Sequence, residues 1–238
     1  MPRDRGAEWF ADAILNTASA TLALIACLVM GVLAVRRARC MGDCPERAML
    51  PLSLALYGLG LMAMLICSTA YNLFVDHPQR HILRQIDHAA IFVMIAGTYS
   101  PLALLGVRGT AGQRLFAAIW GATNICIALK FIVPQYFEQL SIAVYVLLGW
   151  VFVMIRKPLR ATVPATGLWL LTAGCVLYTA GVAVFLWDDL PYQIPIWHSF
   201  VVAGAALHYA SIVGYVTGPT ALKLAPVTVR ATPNHTFR

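Results

Sequence analysis

Charge is what this sequence has least of. Only 11% of its 238 residues are Asp, Glu, Lys or Arg, whereas a soluble domain devotes about a quarter of its chain to them so that its surface can be hydrated. With 60% hydrophobic residues and a mean hydropathy of +0.75, the chain cannot cover itself with charge and must be solvated by lipid. The net charge of +7 does not argue for nucleic acid, because the basic residues are confined to gaps between apolar segments. No phosphate loop, serine-nucleophile elbow or dinucleotide fingerprint is present. There is no evident repeat, and no loop is long enough to hold a separate soluble domain. Cysteine provides no framework. Cys27, Cys67, Cys126 and Cys175 fall inside apolar segments as small fillers, and Cys40 with Cys44 in "CMGDC" makes only half a zinc site.

Long apolar runs are what the sequence does have. A helix needs about 20 apolar residues to cross the hydrocarbon core. Seven segments meet this requirement, at 13–35, 49–74, 86–105, 115–133, 138–155, 166–187 and 196–217, the fifth being the shortest. The first is long and followed by others, unlike a cleaved signal peptide on a soluble body. The pattern predicts an all-α membrane protein, a seven-transmembrane helix bundle over residues 1–217. Residues 218–238 form a polar, proline-containing tail that is expected to be disordered.

Basic residues orient a polytopic chain, since cytoplasmic loops carry the excess of Lys and Arg. Arg3, Arg5, Arg80 and Arg84 lie on one side, and Lys130 can snorkel toward it. The other twelve of the 17 Lys and Arg lie on the opposite side or in the tail. This predicts an outside N-terminus and a cytoplasmic C-terminus.

Depth then groups the polar residues. Ser68 and Asn72 share one helix face near the outer end of the second span. Asp87 and His88 open the third span at that level, His198 opens the seventh, and Asp12, Asn16 and Ser19 lie near the start of the first. A carboxylate facing lipid is costly, so Asp87 needs company. Ser68, Asn72 and His198 provide it if the second, third and seventh helices adjoin. His88 and His208 are expected to face headgroups or to make ordinary interhelical hydrogen bonds. His77 and His81 have metal-ligand spacing but no third ligand. Pro101 is expected to end the third helix, Asn124 and Tyr178 to bond between helices, and Trp150, Trp187 and Trp197 to form an interfacial belt.

The stretches "DHAAIFVMIAGTYSP", "STAYNLF", "YVLLGW", "GCVLYTAGVAVFLW" and "IWHSFVVAGAALH" resemble the haemolysin III family, bacterial relatives of the progestin and adiponectin receptors. The resemblance implies a seven-helix bundle with an intramembrane zinc site. In that pattern a Ser-x-x-x-His ends the second span, an Asp holding a zinc-bound water opens the third, and the seventh carries His-x-x-x-His. Ser68, Asp87 and His198 match this pattern, but Asn72 and Ile194 stand where two histidines are expected. An amide is a poor zinc ligand and isoleucine is none, so Asn72 and His198 read as the remnant of the metal site. In the animal receptors the corresponding cluster faces the cytoplasm, whereas the charge count here places it outside.

Three functions follow from this reading. The first is an integral membrane protein of the haemolysin III type in the bacterial inner membrane, acting on lipid in membrane homeostasis or cytolysis through a divergent site. The second is a zinc-dependent intramembrane lipid hydrolase, resembling a ceramidase-like amidase, with Asp87 and Ser68 as catalytic residues. The third is a receptor or small-solute transporter. Its signal is weak, because Pro51, Pro101 and Pro195 sit at span ends rather than centres. Membrane lipid is the expected partner.

Overall fold

A computed structural model describes residues 5–41 and 45–217. The tail at 218–238, Arg3 and the CMGDC residue Cys44 lie outside the described residues. Seven α-helices follow one another: α1 (Arg5–Cys40), α2 (Pro45–Leu73), α3 (Arg80–Pro101), α4 (Gly109–Ile132), α5 (Pro134–Leu159), α6 (Ala165–Phe185) and α7 (Gln193–Thr217). All seven are long and apolar enough to cross a bilayer.

Helix ends differ from the sequence expectation for identifiable reasons. Pro134 takes the first turn of α5, where its missing N–H costs nothing. "PQYFEQ" therefore starts a helix instead of forming a loop. Pro101 is the last residue of α3, as expected, but it does not end the helical run. The chain continues from it into a short π-helix, Leu102–Val107, and ends only where Arg108 and Gly109 take φ of 62° and 57°. The wider turn accommodates a proline that cannot donate to the preceding turn.

The helices close into a ring. α2 packs on α1 and α3, α7 on α6 and α1, and α5 on α4, α3 and α6. α3 is the central helix, with 72% of its apolar window buried against 17% for α1 and 11% for α5. Leu22, Ile25, Leu28 and Val32 on α1 and Leu140, Leu147 and Met154 on α5 are exposed; they present the outer, lipid-facing surface. Lipid is as apolar as leucine, so burial alone does not hold such helices together. Close backbone approach and hydrogen bonds do. At the α2–α3 seam a Cβ on Gly97 would stand 2.7 Å from the Leu56 carbonyl oxygen, so the two backbones touch. Tyr209 donates to the Ala26 carbonyl at 2.7 Å, Tyr145 to that of His88 at 2.8 Å, and Trp120 to Ser100 at 3.1 Å.

Of the three tryptophans expected in an interfacial belt, only Trp187 is well exposed. Trp150 donates to Thr179 at 3.0 Å, and both Trp150 and Trp197 line an internal cavity. Asn124, expected to bond between helices, lies on the exposed surface of α4.

Candidate functional site

Polar side chains converge at the end of the bundle where α1, α3 and α7 begin and α2 finishes. Positions 12, 16 and 19 are spaced one helical turn apart, so Asp12, Asn16 and Ser19 share a face of α1, and all three are buried. Their neighbours Phe10 and Ile14 point outward. On α2, Ser68 and Asn72 are likewise a turn apart. The Asn72 side-chain amide donates to the Ser68 carbonyl at 2.9 Å and lies 3.4 Å from Ser68 Oγ. α7 brings in His198, also buried.

His198 links these helices. Its Nδ1 is 2.5 Å from Asp12 Oδ1 and its Nε2 is 3.3 Å from Ser68 Oγ. A carboxylate only accepts, so the contact with Asp12 calls for a proton on Nδ1; in the neutral ring Nε2 is then an acceptor facing the serine hydroxyl. Asn16 buttresses the pair. Its amide nitrogen donates to the Asp12 carbonyl at 3.1 Å and sits 3.2 Å from His198 Nδ1, while its Oδ1 is 3.5 Å from Ser68 Oγ. Chemically, an imidazole held in one tautomer by a buried carboxylate can take a proton from a hydroxyl.

The four residues singled out from the sequence therefore meet unequally. Ser68, Asn72 and His198 come together. Asp87 lines the same cavity as Ser68, His198 and Asn16, yet it makes no side-chain hydrogen bond among the described residues. The place expected for Asp87 beside His198 is taken by Asp12, because α7 packs along α1. Zinc takes three or four His, Cys or carboxylate ligands. At this site His198 is the one imidazole among the described residues, and Asn72 and Ile194 stand where the resemblance implies two more. No group of three His, Cys, Asp or Glu placed to hold a metal occurs among the described residues. The donors in place fall short of the zinc count.

The polar cavity adjoins a larger, more apolar one, and Met64, Ile91, Tyr178 and Trp197 line both. The larger chamber runs between α3, α5, α6 and α7 and is walled by Met94, Leu102, Phe152 and Leu171 among others. His208 on its wall is hydrogen-bonded to the Leu171 carbonyl, with its Nε2 at 3.1 Å. The hydroxyl of Tyr178, expected to bond between helices, is instead buried without a hydrogen-bond partner among the described residues, on the wall shared by the two cavities.

The sequence set Asp12 and Asn16 at the depth of Ser68 and His198 but did not single them out as the partners of His198, and it did not place Tyr178 on a cavity wall. Elsewhere, His77 accepts from the Gln79 amide at 3.1 Å. Lys130, expected to snorkel to the boundary, is buried at 2% exposure, and its Nζ has no hydrogen-bond partner among the described residues. Lys130→Met keeps the stem and removes that unsatisfied group. It should raise the melting temperature in detergent by a few degrees, corresponding to about 1–3 kcal/mol. A lower melting temperature would mean that the ammonium is paired.

Comparison with known proteins agrees with this architecture. The profile of the family described as Haemolysin-III related matches residues 9–209. Hemolysin-3 of Bacillus cereus is 36% identical over 166 residues, covering 69% of this chain and 75% of its own length. The Hemolysin-3 homolog of Bacillus subtilis (strain 168) is 34% identical over 163 residues, 68% of this chain and 76% of that protein. The human Monocyte to macrophage differentiation factor is 28% identical over 182 residues, 73% of each chain. No solved structure matches. With a family profile that runs from within α1 to within α7 and two bacterial relatives above 30% identity, the chain belongs to the haemolysin III family.

Proposed function

We infer that this membrane protein binds a single lipid, holding the hydrocarbon chain in the apolar chamber and the polar linkage in the cavity beside it, and thereby serves membrane lipid homeostasis. The observation that carries this reading is the wall shared by the two cavities, where Tyr178 presents a buried hydroxyl with no hydrogen-bond partner among the described residues. Mostly apolar pockets with a few convergent polar groups are typical small-molecule sites. In this reading the chain lies in the bacterial inner membrane with its N-terminus outside, so that the polar cavity sits just beneath the outer leaflet surface. The bias of twelve basic residues on one side against four or five on the other supports that orientation.

Gly149 provides the test. It lines the chamber, and a Cβ there would meet nothing within 4 Å. Gly149→Phe should fill the chamber and weaken binding of a fluorescent long-chain acyl lipid about tenfold or more, a loss of at least about 1.4 kcal/mol. The melting temperature of the ligand-free protein should stay near that of the parent. Unchanged affinity in the folded variant would reject the chamber as the lipid site. The name of the Bacillus cereus relative, Hemolysin-3, favours lysis of a target membrane as a second reading. Purified protein that releases dye from lipid vesicles would support lysis, and intact vesicles at saturating protein would reject it.

A further inference from the structure

We propose that Ser68 is a nucleophile, activated by His198 and oriented through it by Asp12, and that the protein uses this relay to cleave the acyl ester of a membrane lipid without a metal. The inference rests on the lipid-binding reading for its substrate class and on the hydrogen bonds among α1, α2 and α7 for its chemistry.

The relay has the directional order that such chemistry requires. A buried carboxylate fixes the proton on His198 Nδ1, at 2.5 Å, so Nε2 faces Ser68 Oγ as a base, at 3.3 Å. That spacing is slightly longer than a tight hydrogen bond, as is common before substrate binds. Asp12 is a positioning residue because it acts through the imidazole. A bland alternative is a polar cluster that only cross-links three helices. Such a cluster would be packed shut, whereas Ser68 and His198 both line a cavity, and that cavity adjoins an apolar chamber. The cavity is also within reach of water. Ser68 lies five residues from the end of α2 at Leu73, and His198 five from the start of α7 at Gln193; at 1.5 Å per residue, each is about 8 Å from its helix end.

The steps balance with water as the second substrate. Ser68 Oγ attacks the ester carbonyl carbon and its proton passes to His198 Nε2. The tetrahedral oxyanion collapses, the C–O bond to the alcohol breaks, and the alcohol leaves with that proton. Water then attacks the acyl-serine and gives a proton to Nε2, and the fatty acid departs as that proton returns to Ser68. The side-chain amide of Asn72, 3.4 Å from Ser68 Oγ, is the donor placed to meet the oxyanion.

A long-chain alkyl fluorophosphonate tests this on the full-length protein purified in detergent, with EDTA present. Serine attack on phosphorus expels fluoride, and intact mass reads the adduct. One adduct per chain, mapped to Ser68 and absent from Ser68→Ala, is the expected result. Folded Asp12→Asn and His198→Gln proteins should label about a thousandfold more slowly or not at all, as for other relays of this kind. Ser68→Ala should still melt cooperatively, so that loss of labelling reports the lost hydroxyl and not a lost fold. Parent protein that binds the lipid but takes no adduct overturns the nucleophile and leaves the lipid-binding reading standing. Parent protein that is labelled by a short-chain fluorophosphonate but binds no lipid does the reverse. An adduct that persists in Ser68→Ala, or labelling of folded His198→Gln at the parent rate, also overturns the proposal.

Discussion

Gly97→Val is expected to leave little folded protein. A Cβ at this position would lie 2.7 Å from the Leu56 carbonyl oxygen and 3.3 Å from the Tyr57 Cα. Both are backbone atoms of α2, so no side chain can rotate out of the way. The whole helix would have to move, and α2 carries Ser68 and Asn72. Forcing extra methyl groups into a packed seam costs about 1–3 kcal/mol and sometimes more. A seam that works through close approach has little else to hold it. Thermal melting in detergent, followed by size-exclusion recovery, should show a large fall in the folded fraction. Gly121→Ala is the control. A Cβ there meets nothing within 4 Å, and alanine is the better helix former by about 1 kcal/mol, so stability should hold or rise. Equal melting of Gly97→Val and the parent would show that the helices do not approach as closely as this.

The second large effect follows from burying a carboxylate. Asp12 and His198 are both under 10% exposed. His198→Leu leaves Asp12 with its Nδ1–H partner gone and the Asn16 amide already turned to the Asp12 backbone carbonyl. Removing one member of a buried pair typically costs about 3–5 kcal/mol, mostly because the survivor is stranded. Adding Asp12→Leu to His198→Leu should therefore restore much of the lost stability, because no charge then needs a partner. The double-mutant cycle, read from melting temperatures, measures the coupling directly. If the two single losses simply add, Asp12 and His198 do not depend on one another.

The fold was legible because its signal is one-dimensional. Counting apolar residues against the bilayer thickness finds seven spans. It errs only where local chemistry overrides the count, as at Pro134, which begins a helix, and Pro101, which bends one into a π-turn. The site was legible in depth but not in azimuth. Ser68, Asp87 and His198 could all be set at one level from their distance to the span ends. Which of two carboxylates at that level would reach the imidazole depended on which helix lay beside α7, and no residue spacing states that. Asp12 sits on α1, the neighbour of α7, whereas Asp87 stands across the cavity. The sequence pointed to Tyr178 as a hydrogen-bond former between helices but not to its place on a cavity wall, for a similar reason. Its hydroxyl matters because of the empty space beside it, and a sequence contains no record of empty space.

The relay draws its carboxylate from α1 and its imidazole from α7, with five helices made in between. During synthesis, the contact between Asp12 and His198 cannot form until α7 has entered the membrane and docked along α1. The buried carboxylate of Asp12 therefore waits for its partner through most of the chain's assembly. The same arrangement makes α1 a natural candidate for complementation: supplied as a separate polypeptide to a chain lacking it, α1 would carry one missing oxygen atom back to the ring nitrogen that waits for it.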